Sequence, residues 1–209
     1  MVADDILMRI EDLHFAWPGG PAVFSGLQIA LPAGLTWLTG EDGSGKSTLL
    51  ALAAGALSPL SGRLCAAGVW CERDPQRYRQ QVFRIDPMTE VHDALPAASY
   101  LEGLAAHWPH LSAAALDDLT EGFDLRDHLH KPIYMLSTGT RRKLWLSAAF
   151  AAGAPVTLID QPFAALDKPA IGFLTELLQD VQHHPRRAWW VADHAVAADL
   201  AEPRVIHLA

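Results

Sequence analysis

The 209-residue sequence has few cysteines, no surplus of positive charge and no long uninterrupted apolar run. Its two cysteines, Cys65 and Cys71, cannot build a disulfide framework, and no paired Cys-x-x-Cys suggests a zinc site. Lysine and arginine total 16 against 24 acidic residues, and this net charge of −8 argues against unselective nucleic-acid binding. The longest uncharged runs, residues 47–62 and 144–159, contain Gly, Pro and Ser and are shorter than the ~20 residues of a membrane-spanning helix.

The composition that remains is typical of a globular protein with a full core. Half of the residues are hydrophobic and 19% are charged, which excludes a disordered chain. Asp4, Asp5 and Arg9 interrupt the first apolar stretch, so it lacks the pattern of a secretory signal. We therefore expect one domain over residues 1–209 that is cytoplasmic and works at a membrane only through another chain.

Strand and helix patterns alternate along the chain. The predicted strands cover residues 6–15, 24–31, 35–39, 82–85, 156–159, 188–192 and 205–208. The predicted helices cover residues 46–56, 97–107, 112–121, 138–152 and 168–183. This alternation predicts an α/β fold whose mostly parallel sheet is covered on both faces. Helices within residues 89–135 interrupt the alternation, so we expect an inserted helical subdomain between core segments 1–88 and 136–209.

A glycine-rich segment lies between the strand at 35–39 and the helix that follows. It matches Gly-x-x-x-x-Gly-Lys-Ser/Thr, the Walker A motif of P-loop NTPases. We call this segment with its next residue the phosphate loop: Gly40, Glu41, Asp42, Gly43, Ser44, Gly45, Lys46, Ser47 and Thr48. Glycines let successive N–H groups point into one concavity at a helix N-terminus, where a phosphate chain is favoured. The alternative is a Gly/Ser-rich loop with a coincidental lysine.

Two residues of this pattern are candidate magnesium ligands. The Ser47 hydroxyl follows the loop lysine, and Asp160 ends the apolar strand at 156–159. In P-loop NTPases a Ser or Thr of the loop and an aspartate after a second strand hold Mg²⁺, while the lysine neutralises the outer phosphates. Taken alone, an aspartate after a strand is more often a turn residue or a helix cap.

Further motifs follow in a fixed order. Residues 136–140, Leu-Ser-Thr-Gly-Thr, precede a basic helix and are called the signature segment here; residues 158–167 read Leu-Ile-Asp-Gln-Pro-Phe-Ala-Ala-Leu-Asp. His194 follows a strand, and Trp17 precedes a Pro-Gly-Gly turn that exposes it. With the phosphate loop, these motifs resemble ATP-binding-cassette (ABC) ATPases over nearly the whole chain, in size most like small haem-exporter cassettes.

The resemblance implies a P-loop NTPase (RecA-like) core with an N-terminal antiparallel β part and an inserted helical subdomain. It also implies a head-to-tail dimer, of two copies or of two different cassettes, with ATP and Mg²⁺ at the interface. Trp17 would stack on adenine, His194 would be the switch histidine, and Ser137 and Gly139 would face the ATP of the other subunit. A membrane-spanning transporter subunit would dock in the cleft beside the insert, holding the protein at the cytoplasmic face of the membrane.

The sequence departs from the family pattern at three places. Gln161 stands where the family has a glutamate that polarises the attacking water, and an amide cannot accept the proton of that water. The family glutamine after the strand at 82–85 is missing, and Asp86, the nearest candidate, reads as a turn residue. Thr138 and Thr140 replace the first glycine and the glutamine of the signature.

These departures predict MgATP binding with slow hydrolysis, in which Lys46, Gln161 and His194 are the catalytic candidates. General-base assistance is typically worth ~10²–10⁴-fold, so its loss slows turnover by that order. An alternative is a nucleotide-gated regulatory or assembly module that scarcely hydrolyses ATP. A small kinase would explain the phosphate loop but not the later motifs in their order.

Overall fold

The computed structural model describes residues 6–197, 200 and 203–208, which form two β-sheets and six α-helices. The remaining residues of the expected 1–209 domain lie outside the described residues. The strands are β1 (Ile6–Ala16), β2 (Ala22–Pro32), β3 (Gly34–Thr39), β4 (Ser61–Ala66), β5 (Val69–Trp70), β6 (Val82–Arg84), β7 (Val156–Asp160), β8 (Ala188–Ala192) and β9 (Arg204–His207). The helices are α1 (Lys46–Ala53), α2 (Pro75–Arg79), α3 (Ala97–Gly103), α4 (Ala113–Gly122), α5 (Thr138–Ala151) and α6 (Lys168–Val181).

The first sheet is antiparallel and contains four strands in the order β2-β1-β4-β5. Ile10 of β1 lies opposite Ile29 of β2 and Leu64 of β4, and all three side chains are buried. This apolar row packs over α1, while the alternate positions of β1 face outward, as a half-buried antiparallel sheet requires. The expected N-terminal antiparallel β part is confirmed.

The second sheet is parallel and contains five strands in the order β6-β7-β8-β3-β9. Every pairing between these described strands is parallel. The strand β8 is buried along its whole length and lies between β7 and β3. The predicted α/β fold with a mostly parallel sheet is therefore confirmed.

The parallel sheet separates two hydrophobic clusters. Because successive side chains of a strand point to opposite faces, Trp189 joins one cluster and Trp190 the other. The Trp190 face packs against α1 and the antiparallel sheet. The Trp189 face packs against α5, α6 and the helices of the insert, whose Tyr100 and Leu101 are part of this same cluster. The division at residues 89–135 stays a prediction.

Several local predictions need correction. The helix expected over residues 46–56 ends at Ala53, because Gly55 adopts a left-handed conformation (φ 67°). The strands β4 and β5 and the helix α2 are short or broken by polar residues, and the sequence pattern does not predict them. Leu95 of the insert is exposed, whereas its neighbours Tyr100 and Leu101 are buried. Among the described residues, no helix is long and apolar enough to span a membrane.

Candidate functional site

The phosphate loop connects the end of β3 to the start of α1. Gly45 precedes the helix with φ 93°, a left-handed conformation that L-residues with side chains rarely adopt. No side-chain hydrogen bond caps the described helix α1, so its first N–H groups remain available for an anion. A Cβ at Gly45 would lie 2.9 Å from both Val23 Cγ1 and Phe24 Cζ. The turn therefore requires glycine for its backbone angle and for its close approach to β2.

Lys46 lies under the phosphate loop, with only 7% of its surface exposed. Its Nζ donates hydrogen bonds to Gly40 O (2.7 Å) and Glu41 O (2.8 Å). The ammonium group is thus held by two carbonyls of the loop itself and has no carboxylate partner among the described residues. A buried cation satisfied only by neutral acceptors is well prepared to exchange them for phosphate oxygens.

Asp160 lies on the same edge of the sheet as the phosphate loop. Both Asp160 and Leu38 pair with Ala192, so the carboxylate and the residue two positions before Gly40 share one row across three parallel strands. The Asp160 Oδ1 atom and the Ser44 Oγ atom are buried and have no hydrogen-bond partner in the described structure. Buried polar atoms are normally satisfied, so these two indicate a missing ligand at this edge.

These observations show that the residues fit a magnesium–nucleotide group. The phosphate loop offers a cation and free N–H groups to phosphates, while Ser47 is exposed at the start of α1. Ser47 and Asp160 provide the hydroxyl and carboxylate oxygens that Mg²⁺ prefers. Thr48 follows in the first turn of the same helix.

Gln161, His194 and Asp42 form a chain of polar side chains around the opening of the site. Gln161 Nε2 lies 3.5 Å from His194 Nε2, and His194 Nδ1 lies 3.6 Å from Asp42 Oδ1. These distances are long for hydrogen bonds, so the three side chains are close without being locked together. Two backbone bonds, from Gln161 N to Ala192 O (2.8 Å) and from Asp193 N to Leu38 O (3.1 Å), anchor their loops to the sheet.

The signature segment leads into α5 as a capped helix start. Ser137 Oγ accepts a hydrogen bond from Thr140 N (3.1 Å) and shares a second with Thr140 Oγ1 (2.8 Å). Ser137 is exposed and Gly139 is half-buried. A Cβ at Gly139 would lie 2.5 Å from Ala165 O, so this glycine lets α5 approach the segment after β7. The serine thus caps the helix, and its exposed position leaves room for a further contact.

Two other predicted positions behave differently. Trp17 is 49% exposed and touches Phe15 edge to face, with ring centroids 5.2 Å apart. It thereby presents a free aromatic face, as the following turn predicts. Asp86 Oδ1 accepts a hydrogen bond from Met88 N (3.0 Å), which is the geometry of a turn residue. Asp86 therefore supplies a local turn, in agreement with the interpretation favoured from sequence.

Arg142 is a residue at this site that the sequence analysis missed. Its Nη1 donates to Asp160 O (2.8 Å) and Gln161 O (3.0 Å), whereas the sequence shows only a run of three basic residues. Successive helical residues point about 100° apart, so a basic run at a helix start reaches three different partners. Because this basic run directly follows the signature segment, its position in the sequence could have identified Arg142 as a site residue.

Comparisons with known proteins agree with this geometry. Residues 25–164 match the family model described as ABC transporter. The cytochrome c biogenesis ATP-binding export protein CcmA of Paramagnetospirillum magneticum is 35% identical over 88% of this chain and 85% of its own length. The taurine import ATP-binding protein TauB of Pseudomonas fluorescens is 30% identical over 91% of this chain and 72% of its own. The family match includes the phosphate loop, the signature segment and Asp160, while Trp17 and His194 lie outside it.

Solved structures share the fold. The structure of an ATP-binding subunit of an ABC transporter has a TM-score of 0.79 at 25% identity, covering 90% of this chain and 79% of that one. A dimeric ATP-binding cassette bound to ADP and Pi has a TM-score of 0.77 at 17% identity, covering 90% of this chain and 88% of that one. The similarity therefore extends over both sheets and the helices between them.

The crowding at Gly45 generates a prediction about the stability of the phosphate loop. Gly45→Ala should lower the free energy of unfolding by about 1–2 kcal/mol through its left-handed angle. Overlap with Val23 and Phe24 should cost about 1–3 kcal/mol more. Gly43→Ala is the matched control, because Gly43 also has a positive φ (83°) but a Cβ there would meet no atom within 4 Å. Urea unfolding without nucleotide measures both variants, and equal losses would contradict the packing argument.

Proposed function

The chain belongs to the ABC transporter family, and from this premise we propose that it binds MgATP and hydrolyses it slowly to drive a membrane-spanning partner. The observation that carries the proposal is that buried Lys46 of the phosphate loop and the unpartnered Asp160 Oδ1 lie at the same sheet edge. Phosphate oxygens would replace the carbonyls of Gly40 and Glu41 on the lysine, and the N–H groups at the start of α1 would complete the cradle. Trp17 would stack on the adenine ring through its exposed face.

We propose that Ser47 and Asp160 hold the magnesium ion of the nucleotide. When bound, Mg²⁺ would neutralise charge that develops on the outer phosphates during transfer to water. Arg142 contacts the backbone carbonyl of Asp160 rather than its carboxylate, so the Oδ1 atom remains available for the metal. The structure of the site is thus compatible with a tightly bound MgATP.

The expected rate of ATP hydrolysis depends on Gln161. Its amide can accept a hydrogen bond from the attacking water and orient it, but the amide cannot take the proton. His194 lies beside this amide and opposite Asp42 of the phosphate loop, a position from which it can contact the γ-phosphate. Binding of MgATP needs only the phosphate loop and the magnesium ligands, whereas turnover also needs a general base. We therefore expect tight binding with turnover below ~1 s⁻¹.

A second subunit would complete the site. Exposed Ser137 and the backbone of Gly139 would face the nucleotide of a second cassette, because the N-terminus of α5 attracts negative charge. Thr138 would weaken this contact because its side chain is bulkier than the glycine of the family signature. Thr140 would weaken it because its side chain is shorter than the glutamine of that signature. Both a pair of identical chains and a pair with a different cassette are compatible with this arrangement.

Gln161 also favours the second candidate function, a regulatory or assembly module that closes on ATP with little hydrolysis. The two functions differ in what a membrane partner does to the rate. Stimulated hydrolysis on addition of a co-expressed membrane partner supports a transporter motor. Nucleotide-dependent assembly without turnover supports the regulatory module.

Replacing the amide by a carboxylate tests the account of the slow rate. Gln161→Glu should raise turnover at least about tenfold, since general-base assistance is worth ~10²–10⁴-fold where geometry is ideal. Its MgATP affinity should stay within about twofold, because the cradle is unchanged. Steady-state hydrolysis and equilibrium binding of a fluorescent ATP analogue measure the two effects. A parent turnover above ~1 s⁻¹, or an unchanged rate in Gln161→Glu, would contradict this explanation.

We propose that the membrane partner docks in a groove between the insert and the parallel sheet. This groove has a volume of about 730 Å³, and its apolar floor includes Phe83, Tyr100 and Trp108. Four of its lining residues are arginine or histidine, namely Arg79, Arg84, His92 and His107, and none of the described lining residues is acidic. The chain as a whole carries a net charge of −8, so this basic groove contrasts with the rest of the surface.

The groove chemistry specifies its occupant. An amphipathic helix fits a groove with an apolar floor, and a basic rim selects a carboxylate on that helix. The Arg84 Nε atom is buried and has no hydrogen-bond partner in the described structure, so it is the group most in need of this acid. We therefore expect a short helix from a cytoplasmic loop of the transporter subunit, carrying Asp or Glu beside Arg84. This contact would hold the cassette at the membrane face.

Photocrosslinking from the groove tests this docking model. A benzophenone amino acid at Ser99, which lines the groove, should crosslink to a cytoplasmic loop of a multispanning membrane protein at a peptide containing Asp or Glu. Arg84→Glu should reduce the crosslink about tenfold or more, since losing one desolvated charge contact costs about 2 kcal/mol or more. Exposed Arg73→Glu is the charge-matched control.

The decisive step is a charge exchange between the two proteins. Substituting lysine for the crosslinked acid should restore the crosslink only in the Arg84→Glu cassette. Crosslinks to peptides without an acidic residue, or equal losses in Arg84→Glu and Arg73→Glu, would reject the groove as the docking site.

A further inference from the structure

The start of α5 and the segment after β7 are joined at three points. Besides the close approach of Gly139 to Ala165, Arg142 binds the carbonyls of Asp160 and Gln161. Lys143 Nζ forms an ion pair with Asp167 Oδ2 at 2.7 Å. Hydrogen bonds from Lys143 and from the backbone of Ala170 lower the pKa of the Asp167 carboxyl, so this pair persists at neutral pH. The helix α5, which would face the nucleotide of the neighbouring subunit, is therefore connected to the turn at Gln161. That turn would face the nucleotide bound by this chain.

Arg142 is unusual among these contacts because its partners are neutral. It is half-buried among Ile85, Trp145 and Leu158, and the described structure places no carboxylate oxygen within ion-pair distance. Burial lowers the pKa of its guanidinium, while the negative charges of Asp160 and Asp193 raise it. This partly desolvated guanidinium donates its hydrogen bonds to two backbone carbonyls. We infer that these bonds hold that backbone segment in a fixed position.

The backbone in question is strained. Gln161 has φ 46°, a left-handed conformation that is unfavourable for a residue with a side chain. Its N–H donates to Ala192 O on β8, and its carbonyl accepts both from Ala164 N within the turn (3.2 Å) and from Arg142 on α5. Two elements thus hold this peptide from opposite sides, and the resulting turn aims the Gln161 amide at His194.

We propose that Arg142 is a positioning residue that maintains the strained turn at Gln161 and thereby sets the geometry of the water-orienting amide. The proposal rests on the hydrolytic function proposed above for this edge. It adds that the start of α5, which would contact the neighbouring phosphate, and the position of Gln161 depend on each other through the Arg142 side chain. Relaxation of the turn displaces the amide from the water while the phosphate loop, which Arg142 does not touch, keeps its affinity.

Substitution of Arg142 separates rate from binding. Arg142→Gln should reduce turnover at least about tenfold with MgATP affinity within about twofold of the parent, because a displacement of about 1 Å can cost ~10²-fold in rate. Arg142→Lys should recover part of the loss, since an ammonium group also donates to carbonyls. Arg141→Gln is the matched control: it removes the same charge from the next position of α5, where Arg141 contacts Asp93 and Ile133 O instead.

A double-mutant cycle distinguishes positioning from general stabilisation. If Arg142 acts through Gln161, then Arg142→Gln should change the residual rate of a Gln161→Ala protein by less than about twofold. If Arg142 only stabilised the fold, Arg142→Gln would reduce the rate equally in the parent protein and in the Gln161→Ala protein. It would also lower the melting temperature of both proteins. An equal reduction, or a parent-like rate in Arg142→Gln, overturns the proposal.

Hydrogen exchange gives a readout that needs no activity. Peptides covering residues 158–166 should exchange at least about tenfold faster in Arg142→Gln than in Arg141→Gln, because the contacts of Arg142 with the carbonyls of Asp160 and Gln161 are lost. Unchanged exchange overturns the positioning role even where turnover is below detection. Absence of MgATP binding in the parent would instead reject the proposed function and leave the exchange result to decide the role of Arg142.

Discussion

The parallel pairing of β8 with β3 on one side and β7 on the other positions the phosphate loop and the two side chains that lie beside it at the sheet edge. Because the three strands run in the same direction, the phosphate loop, Asp160 and His194 all follow carboxyl ends and meet at one edge. The cross-strand row of Leu38, Ala192 and Asp160 fixes their register. A shift by one residue would turn the Asp160 side chain to the other face of the sheet and remove it from the site.

In the proposed function, the same edge would let a single chain contact two nucleotides. One nucleotide would rest on the phosphate loop, and the other would meet the N-terminus of α5 from a neighbouring cassette. Arg142 and Lys143 connect α5 to the segment that carries Gln161 and Asp167. Because packed elements move as units, these contacts would make α5 and the segment after β7 move together. The groove lies on the side of the sheet near the insert, where such a displacement would reach the helix that we propose docks there.

Local chemistry made much of this site predictable. The glycine pattern at 40–48, the apolar strand before Asp160 and the turn after Trp17 each depend on neighbours in sequence, and the structure places all three as expected. The N-cap of α4 by Ser112, whose Oγ accepts from Ala115 N, is local in the same sense. Contacts across long separations were not predictable. The bonds from Arg142 to Asp160 and Gln161 depend on tertiary packing that no single-sequence pattern specifies. The short strands β4 and β5 are held by pairing, β4 with β1 and β5 with β4, so their own sequence pattern is weak.

A crystal structure with Mg²⁺ and a non-hydrolysable ATP analogue tests the central claim most directly. The account predicts a triphosphate in the phosphate loop, with Lys46 Nζ moved from the carbonyls of Gly40 and Glu41 onto phosphate oxygens and Asp160 facing the metal. An empty loop at saturating analogue, with the lysine still bound to those two carbonyls, would contradict it.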